Sequence, residues 1–228
     1  MSWARLLWFD LTRGLPAALG ALRRRLGWRR LARLLPLFLW RSVFTADPLV
    51  ALGPVRGADA TAARRERFAR HQLRPVLLLE GALRDALGLD AAAALEVAGA
   101  VVAASGARFL AFNVPRVERA SWAAAPDAER RTVVARVLAR MFNAEAAVRA
   151  VGADAFAFDV TACAFARMAR ALGRPEIAAL YCAADGAWFD EPRSPIALAR
   201  AGTIARGATV CDFHFTFKDA PKGGGSGG

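Results

Sequence analysis

The chain has 228 residues, a mass of 24.4 kDa, 56% hydrophobic residues and a mean hydropathy of +0.27, enough apolar material to bury a core and too much for a disordered chain. Its three cysteines are too few, and odd in number, for a secreted disulfide scaffold, so a reducing, cytoplasmic compartment is expected. The formal charge of +12 is unevenly spread: residues 1–80 carry 15 Arg against 5 acids, and residues 81–228 carry 15 Arg and 2 Lys against 15 acids.

Residues 1–45 mix Trp3, Trp8, Trp28 and Trp40 with leucines and with Arg23, Arg24, Arg25, Arg29, Arg30 and Arg33. Two readings stand for this basic helical segment. One is a helical hairpin packed on its own domain or on a protein partner; the other is a helix lying peripherally on an anionic membrane surface, with arginines at the headgroups. Nucleic-acid binding is disfavoured because the arginines are interleaved with Leu and Trp and an Arg-over-Lys bias alone says little. The run at 34–40 contains Pro36, ends at Arg41 and lacks a small-residue cleavage pattern, unlike a signal peptide. No apolar run reaches 18 residues, so no conventional membrane span is expected.

Pro48, Gly53, Pro54 and Gly57 punctuate a connector at 46–61. A domain over 62–220 follows. Residues 62–104 read as helix with a kink or restart at Pro75, since Leu73, Val76, Leu77, Leu83 and Leu87 recur at helical spacings. The stretch 107–115 fits a strand or a buried helix. Pro126 and Asp127 open a helix over 127–141, striped by Val133, Val134, Val137, Leu138 and Met141.

The period then changes to two. Residues 144–151 and 155–161 read as strands around a turn at 152–154, a helix over 162–172 ends at Gly173, and another starts near Pro175. The clearest strand is 208–217, with Cys211, Phe213, Phe215 and Phe217 on one face and Val210, Asp212, His214 and Thr216 on the other. The fold class is therefore α+β, a helical N-terminal half followed by a small antiparallel sheet with packed helices. The Gly-Gly-Gly-Ser-Gly-Gly ending places an appended linker at 221–228.

All three cysteines fall between 163 and 211. Cys163 sits where a strand enters a helix, so free N–H groups and the helix dipole favour a thiolate there. Cys182 has Asp185 three residues on, and Cys211 precedes Asp212 and His214. Strand alternation turns Asp212 and His214 one way and Cys211 the other, which makes Asp212 with His214 the natural proton-handling pair. Cys163, Cys182, Cys211 and His214 form an alternative ligand set for a divalent metal, zinc or iron, although no CxxC or HxxxH spacing supports it. Each thiol also fits the ordinary role of a small buried hydrophobe. No P-loop, GxGxxG, GxSxG or HExxH occurs.

The run FDVTACAFARMARALGRPEIAALYCAAD, followed by RAGTIARGATVCDFHF, resembles the L-2-amino-thiazoline-4-carboxylic acid hydrolase family. The matching positions are Cys163, Leu172, Gly173, Pro175, Glu176, Cys182, Asp185, Gly207, Cys211, Asp212 and Phe213. His214 stands where that pattern has Arg. The resemblance implies a bacterial hydrolase of a non-peptide C–N bond in a small-molecule substrate, a cyclic amidine or amide. On that expectation Cys163 attacks the ring carbon, Asp212 and His214 move protons, and Arg200 or Arg206 holds a substrate carboxylate. The variant mechanism uses a metal-activated water with the cysteines as ligands. The competing expectation is a non-catalytic ligand-binding or accessory protein docked through its basic N-terminus to a membrane surface or a larger enzyme.

Overall fold

The computed structural model describes residues 2–53, 60–115, 117–191 and 194–218; part of the expected connector, 54–59, and the expected linker at 221–228 lie outside them. The α+β expectation holds, with helices first and a four-stranded sheet after them.

Helix α1, Trp3–Phe9, starts on a Ser2 cap and passes through one π-helical turn, Asp10–Gly14, into α2, Leu15–Phe44. Gly27, at φ 71°, breaks α2 into two arms, a conformation that L side chains rarely adopt. The basic segment is thus a helical hairpin packed on its own domain. Its first arm runs antiparallel along α4, Ala91–Asn113: Phe9 meets Phe109 at 5.2 Å and Arg25 reaches Glu96 at 2.8 Å. Its second arm lies on α3, Ala60–Leu87, where Arg74 donates to the Ser42 carbonyl at 3.0 Å and Arg41 pairs with Asp85. Ala21, Leu22, Leu31 and Leu34 are buried against Leu79, Leu83, Ala94 and Val101.

The helical stretch expected at 62–104 is two helices. Helix α3 passes through Pro75 and stops before Gly88, whose φ is 64°; Asp90 then caps α4 by accepting from the Ala93 N–H at 2.8 Å. The ambiguous 107–115 stretch supplies the last turns of α4. By length and composition α4 is apolar enough to cross a membrane, with an 18-residue window of mean hydropathy 1.5, which a search for unbroken apolar runs misses because Glu96 and Arg108 interrupt it. It packs against α2, α3 and α8, Pro175–Phe189, as a central helix. Gly106 permits the α4–α8 approach, since a Cβ there would lie 2.9 Å from that of Ala184.

Helix α5, Arg119–Ala124, has no strong pattern in the sequence; it carries buried Trp122, whose indole donates to the Gly152 carbonyl at 2.9 Å. Helix α6 covers Asp127–Leu138. The sheet contains β1, Ala144–Val151, β2, Ala155–Cys163, β3, Ile196–Ala199, and β4, Cys211–Phe217, in the order β1-β2-β4-β3 with every pairing antiparallel. Phe156 opposes Phe215 and Phe158 opposes Phe213, so their rings stack at 4.8 and 4.9 Å. Helix α7, Ala164–Ala171, follows β2 directly. Buried Glu66 on α3 pairs with Arg70 and with Arg167 of α7, while buried Glu80 faces Arg84 and Arg174, tying α3 to the α7–α8 unit.

Candidate active site

The core-facing side of β4, the start of α7 and the middle of α8 meet around one cavity of about 970 Å³, whose wall includes Cys163, Cys182, Cys211, Asp185, Arg200 and Phe213. These positions span 51 residues of sequence, and the pairing of β2 with the start of β4 sets Cys211 opposite Val160, three residues before Cys163.

Three consecutive residues of β4 build the loop that carries Arg200. The Cys211 sulfur accepts from the Ile204 N–H at 3.1 Å. The Asp212 carboxylate accepts from the N–H groups of Ala201 at 3.0 Å and Gly202 at 2.8 Å. Phe213 lies under the Arg200 guanidinium, 5.0 Å from ring centroid to guanidinium carbon. The alternation of the strand makes this division of labour necessary: residues 211 and 213 reach inward, and 212 catches the loop from the other side. Gly202 permits the close passage, since a Cβ there would sit 2.9 Å from that of Ala208.

Arg200 so held donates to the Cys182 carbonyl at 2.8 Å and to Asp185 Oδ2 at 3.4 Å. Guanidinium has five N–H donors, and these two bonds leave others for a ligand carboxylate. Burial pushes the Asp185 carboxyl up to about 6, with Arg200 opposing the rise. The side chain nevertheless keeps 29% of its surface open, toward the cavity. A carboxylate poised near neutrality in an enclosed site is suited to accept and return a proton.

The three thiols differ. Burial raises all of them, Cys182 to about 11. At Cys163 the N–H groups of Phe165 and Ala166, at the start of α7, work against the rise, although no capping hydrogen bond closes on the sulfur. Cys211 is buried and already engaged by Ile204. Each feels the negative charge of Asp185, which places the carboxylate within electrostatic reach of all three.

Several expected roles are not met by this geometry. Asp212 and His214 do not form a proton-handling pair: Asp212 is committed to two backbone amides, which hold its carboxyl below the usual range, and His214 is exposed on the face of β4 opposite Cys211. For the same reason the set Cys163, Cys182, Cys211 and His214 cannot converge on one metal ion, and among the described residues no three His, Cys, Asp or Glu side chains are grouped to hold one. Arg206 sits exposed on the 3-10 turn Ile204–Arg206, away from the cavity wall, so of the two candidate arginines only Arg200 faces the site. The Asp185–Arg200 contact was not legible in sequence, because fifteen residues and a strand separate the partners.

Neither a curated protein nor a solved structure matches the chain. The family model described as L-2-amino-thiazoline-4-carboxylic acid hydrolase matches residues 84–215, more than half of the chain. The matched region includes the site's thiols, Asp185 and Arg200, and excludes the Arg-rich hairpin. The chain belongs to the L-2-amino-thiazoline-4-carboxylic acid hydrolase family.

Proposed function

We propose that the protein hydrolyses a C–N bond, other than a peptide bond, in a carboxylated amidine or amide, with Cys163 as nucleophile, Asp185 as proton carrier and Arg200 as the carboxylate anchor. The observation that carries this reading is Asp185, a carboxyl pushed up to about 6 beside three thiols and one arginine in a shared cavity. Asp185 takes the Cys163 thiol proton, so the raised thiol needs no free thiolate at rest. The sulfur then bonds to the amidine or acyl carbon. The C–N bond breaks as Asp185 returns the proton to the departing nitrogen, and water, deprotonated by Asp185, cleaves the C–S bond and restores the thiol. The net change is the addition of one water.

The test is ring opening of L-2-aminothiazoline-4-carboxylate with the product identified: C–N cleavage releases a free amine, and release of a free thiol instead means that the ring C–S bond is the one broken. The rate is expected to climb with pH to a plateau through about 6, following ionisation of Asp185, and to fall at least hundredfold in Cys163→Ser and Asp185→Asn. Full activity in both variants contradicts the assigned roles.

A second reading concerns where the protein acts. Among the described residues every exposed large hydrophobic side chain lies between Trp3 and Val50, in the segment that also holds Arg23, Arg24, Arg25, Arg29, Arg30 and Arg33. Such a surface suits peripheral contact with an anionic bilayer. Cosedimentation with phosphatidylserine vesicles is expected, and is expected to weaken in Trp8→Ala/Trp40→Ala; no difference from phosphatidylcholine vesicles contradicts the electrostatic part.

A further inference from the structure

The cavity is much larger than an aminothiazoline carboxylate. That compound has fewer than ten heavy atoms, and at roughly 30 Å³ per atom, the share of a liquid water, it fills less than about a third of the 970 Å³ available. The remaining wall is apolar and aromatic, with Phe156, Phe158, Phe213, Phe215 and Trp188 among its members. The cavity also extends to the exposed leucines Leu11, Leu15 and Leu39 on the N-terminal hairpin, far along the chain from the thiols.

Several polar groups elsewhere on this wall are turned to protein partners, among them the guanidinium groups of Arg74 and Arg140, which donate to the carbonyls of Ser42 at 3.0 Å and Asn113 at 3.1 Å. Asp10 meets His71 at 2.8 Å, Ser42 donates to the Phe38 carbonyl at 2.8 Å, and Ser105 donates to the Val101 carbonyl at 2.8 Å. Arg200 is the wall arginine beside the thiols: it donates to the Cys182 carbonyl, its contact with Asp185 is long, at 3.4 Å, and it has donors to spare. A cationic anchor beside the thiols of a largely apolar chamber is the complement of an amphiphile with an acidic head.

We propose that this cavity takes a single-chain amphiphile whose carboxylate rests on Arg200, whose C–N link lies beside Cys163, and whose alkyl chain fills the aromatic chamber toward Leu11 and Leu39. An N-acyl amino acid is the simplest compound of this class. The inference rests on the hydrolase reading for its chemistry, and the balanced reaction is N-acyl amino acid plus water giving a fatty acid and a free amino acid.

The experiment is titration of the full-length protein with N-acetylglycine, N-hexanoylglycine and N-dodecanoylglycine, each below its micellar concentration, read by calorimetry alongside glycine release. Affinity is expected to rise about two- to fourfold per added methylene, at least about thousandfold over the ten methylenes from acetyl to dodecanoyl. Arg200→Gln is expected to lower the affinity for N-dodecanoylglycine at least tenfold while leaving that for decanol unchanged; Arg200→Lys falls between. A flat chain-length series in the wild-type protein overturns the proposal without recourse to any variant, and so does length-dependent binding that ignores Arg200. Chain-dependent binding without glycine release leaves the ligand class standing and removes the hydrolase reading for it. Turnover of L-2-aminothiazoline-4-carboxylate with a flat series does the reverse.

Discussion

Asp212 stands in the stretch that carries the family resemblance, and its geometry gives it a structural task in place of the expected chemical one. Its place beside Cys211 and two residues before His214 invites a proton relay, but its carboxylate holds the Arg200 loop by two amide hydrogen bonds. Asp212→Ala is therefore expected to raise KM by about tenfold or more through a misplaced Arg200, with kcat much less affected, since each charge-assisted bond is worth roughly 1.5–3 kcal/mol. His214→Ala, on the exposed face, is expected to leave both parameters within twofold. Steady-state kinetics on the two variants separates positioning from proton transfer. Asp185 carries the opposite electrostatic signature. Its folded pKa is raised from 3.8 to about 6, so its contribution to stability is full below about pH 4 and is lost as pH rises through 6. Asp185→Asn is accordingly expected to gain stability relative to wild type between pH 4 and pH 8, by an amount on the order of 2–3 kcal/mol. Urea midpoints at the two pH values measure it, and an equal offset at both removes the claim.

At the scale of elements, local chemistry marked some boundaries well. Alternation over β4 sorted Cys211, Phe213, Phe215 and Phe217 to the core, and Gly173 with Pro175 marked the step between α7 and α8. The sequence did not disclose β3, because four residues, Ile-Ala-Leu-Ala, show only weak alternation and are held as an edge strand by pairing with β4. The cavity was equally illegible, since its wall is assembled from both halves of the chain. Contacts between elements are where substitutions should cost most. Gly106→Val puts branched carbon where even a Cβ would lie 2.9 Å from Ala184, and overpacking of this kind is expected to destabilise by about 1–3 kcal/mol. Glu66→Ala strips the buried partner from Arg70, which also donates to the carbonyls of Leu49 and Gly53, and is expected to cost about 3 kcal/mol. Both are read from denaturant midpoints at unchanged slope.

For the whole molecule, the Arg-rich hairpin is both a structural layer and an open surface. Its inner stripe is buried on α3 and α4, so Leu34→Ala is expected to destabilise by about 2–5 kcal/mol, as a core leucine does, even though residue 34 lies outside the family match. Its outer side leaves Trp8, Leu11, Trp40 and Phe44 more than half exposed, at 64%, 69%, 56% and 70%. The same hairpin supplies Leu11 and Leu39 to the cavity wall, which joins the surface to the site that contains Cys163, Asp185 and Arg200. Cys163 is the one thiol of the three that is both open to that site and helped by amides at the start of α7. Site-resolved alkylation of the native protein with iodoacetamide, followed by peptide mass spectrometry and residual activity, tests this most directly. A nucleophilic Cys163 is modified first and activity falls in step, with Cys182 slower and Cys211 protected. Modification of Cys163 with activity retained, or a Cys163 as inert as Cys211, contradicts it.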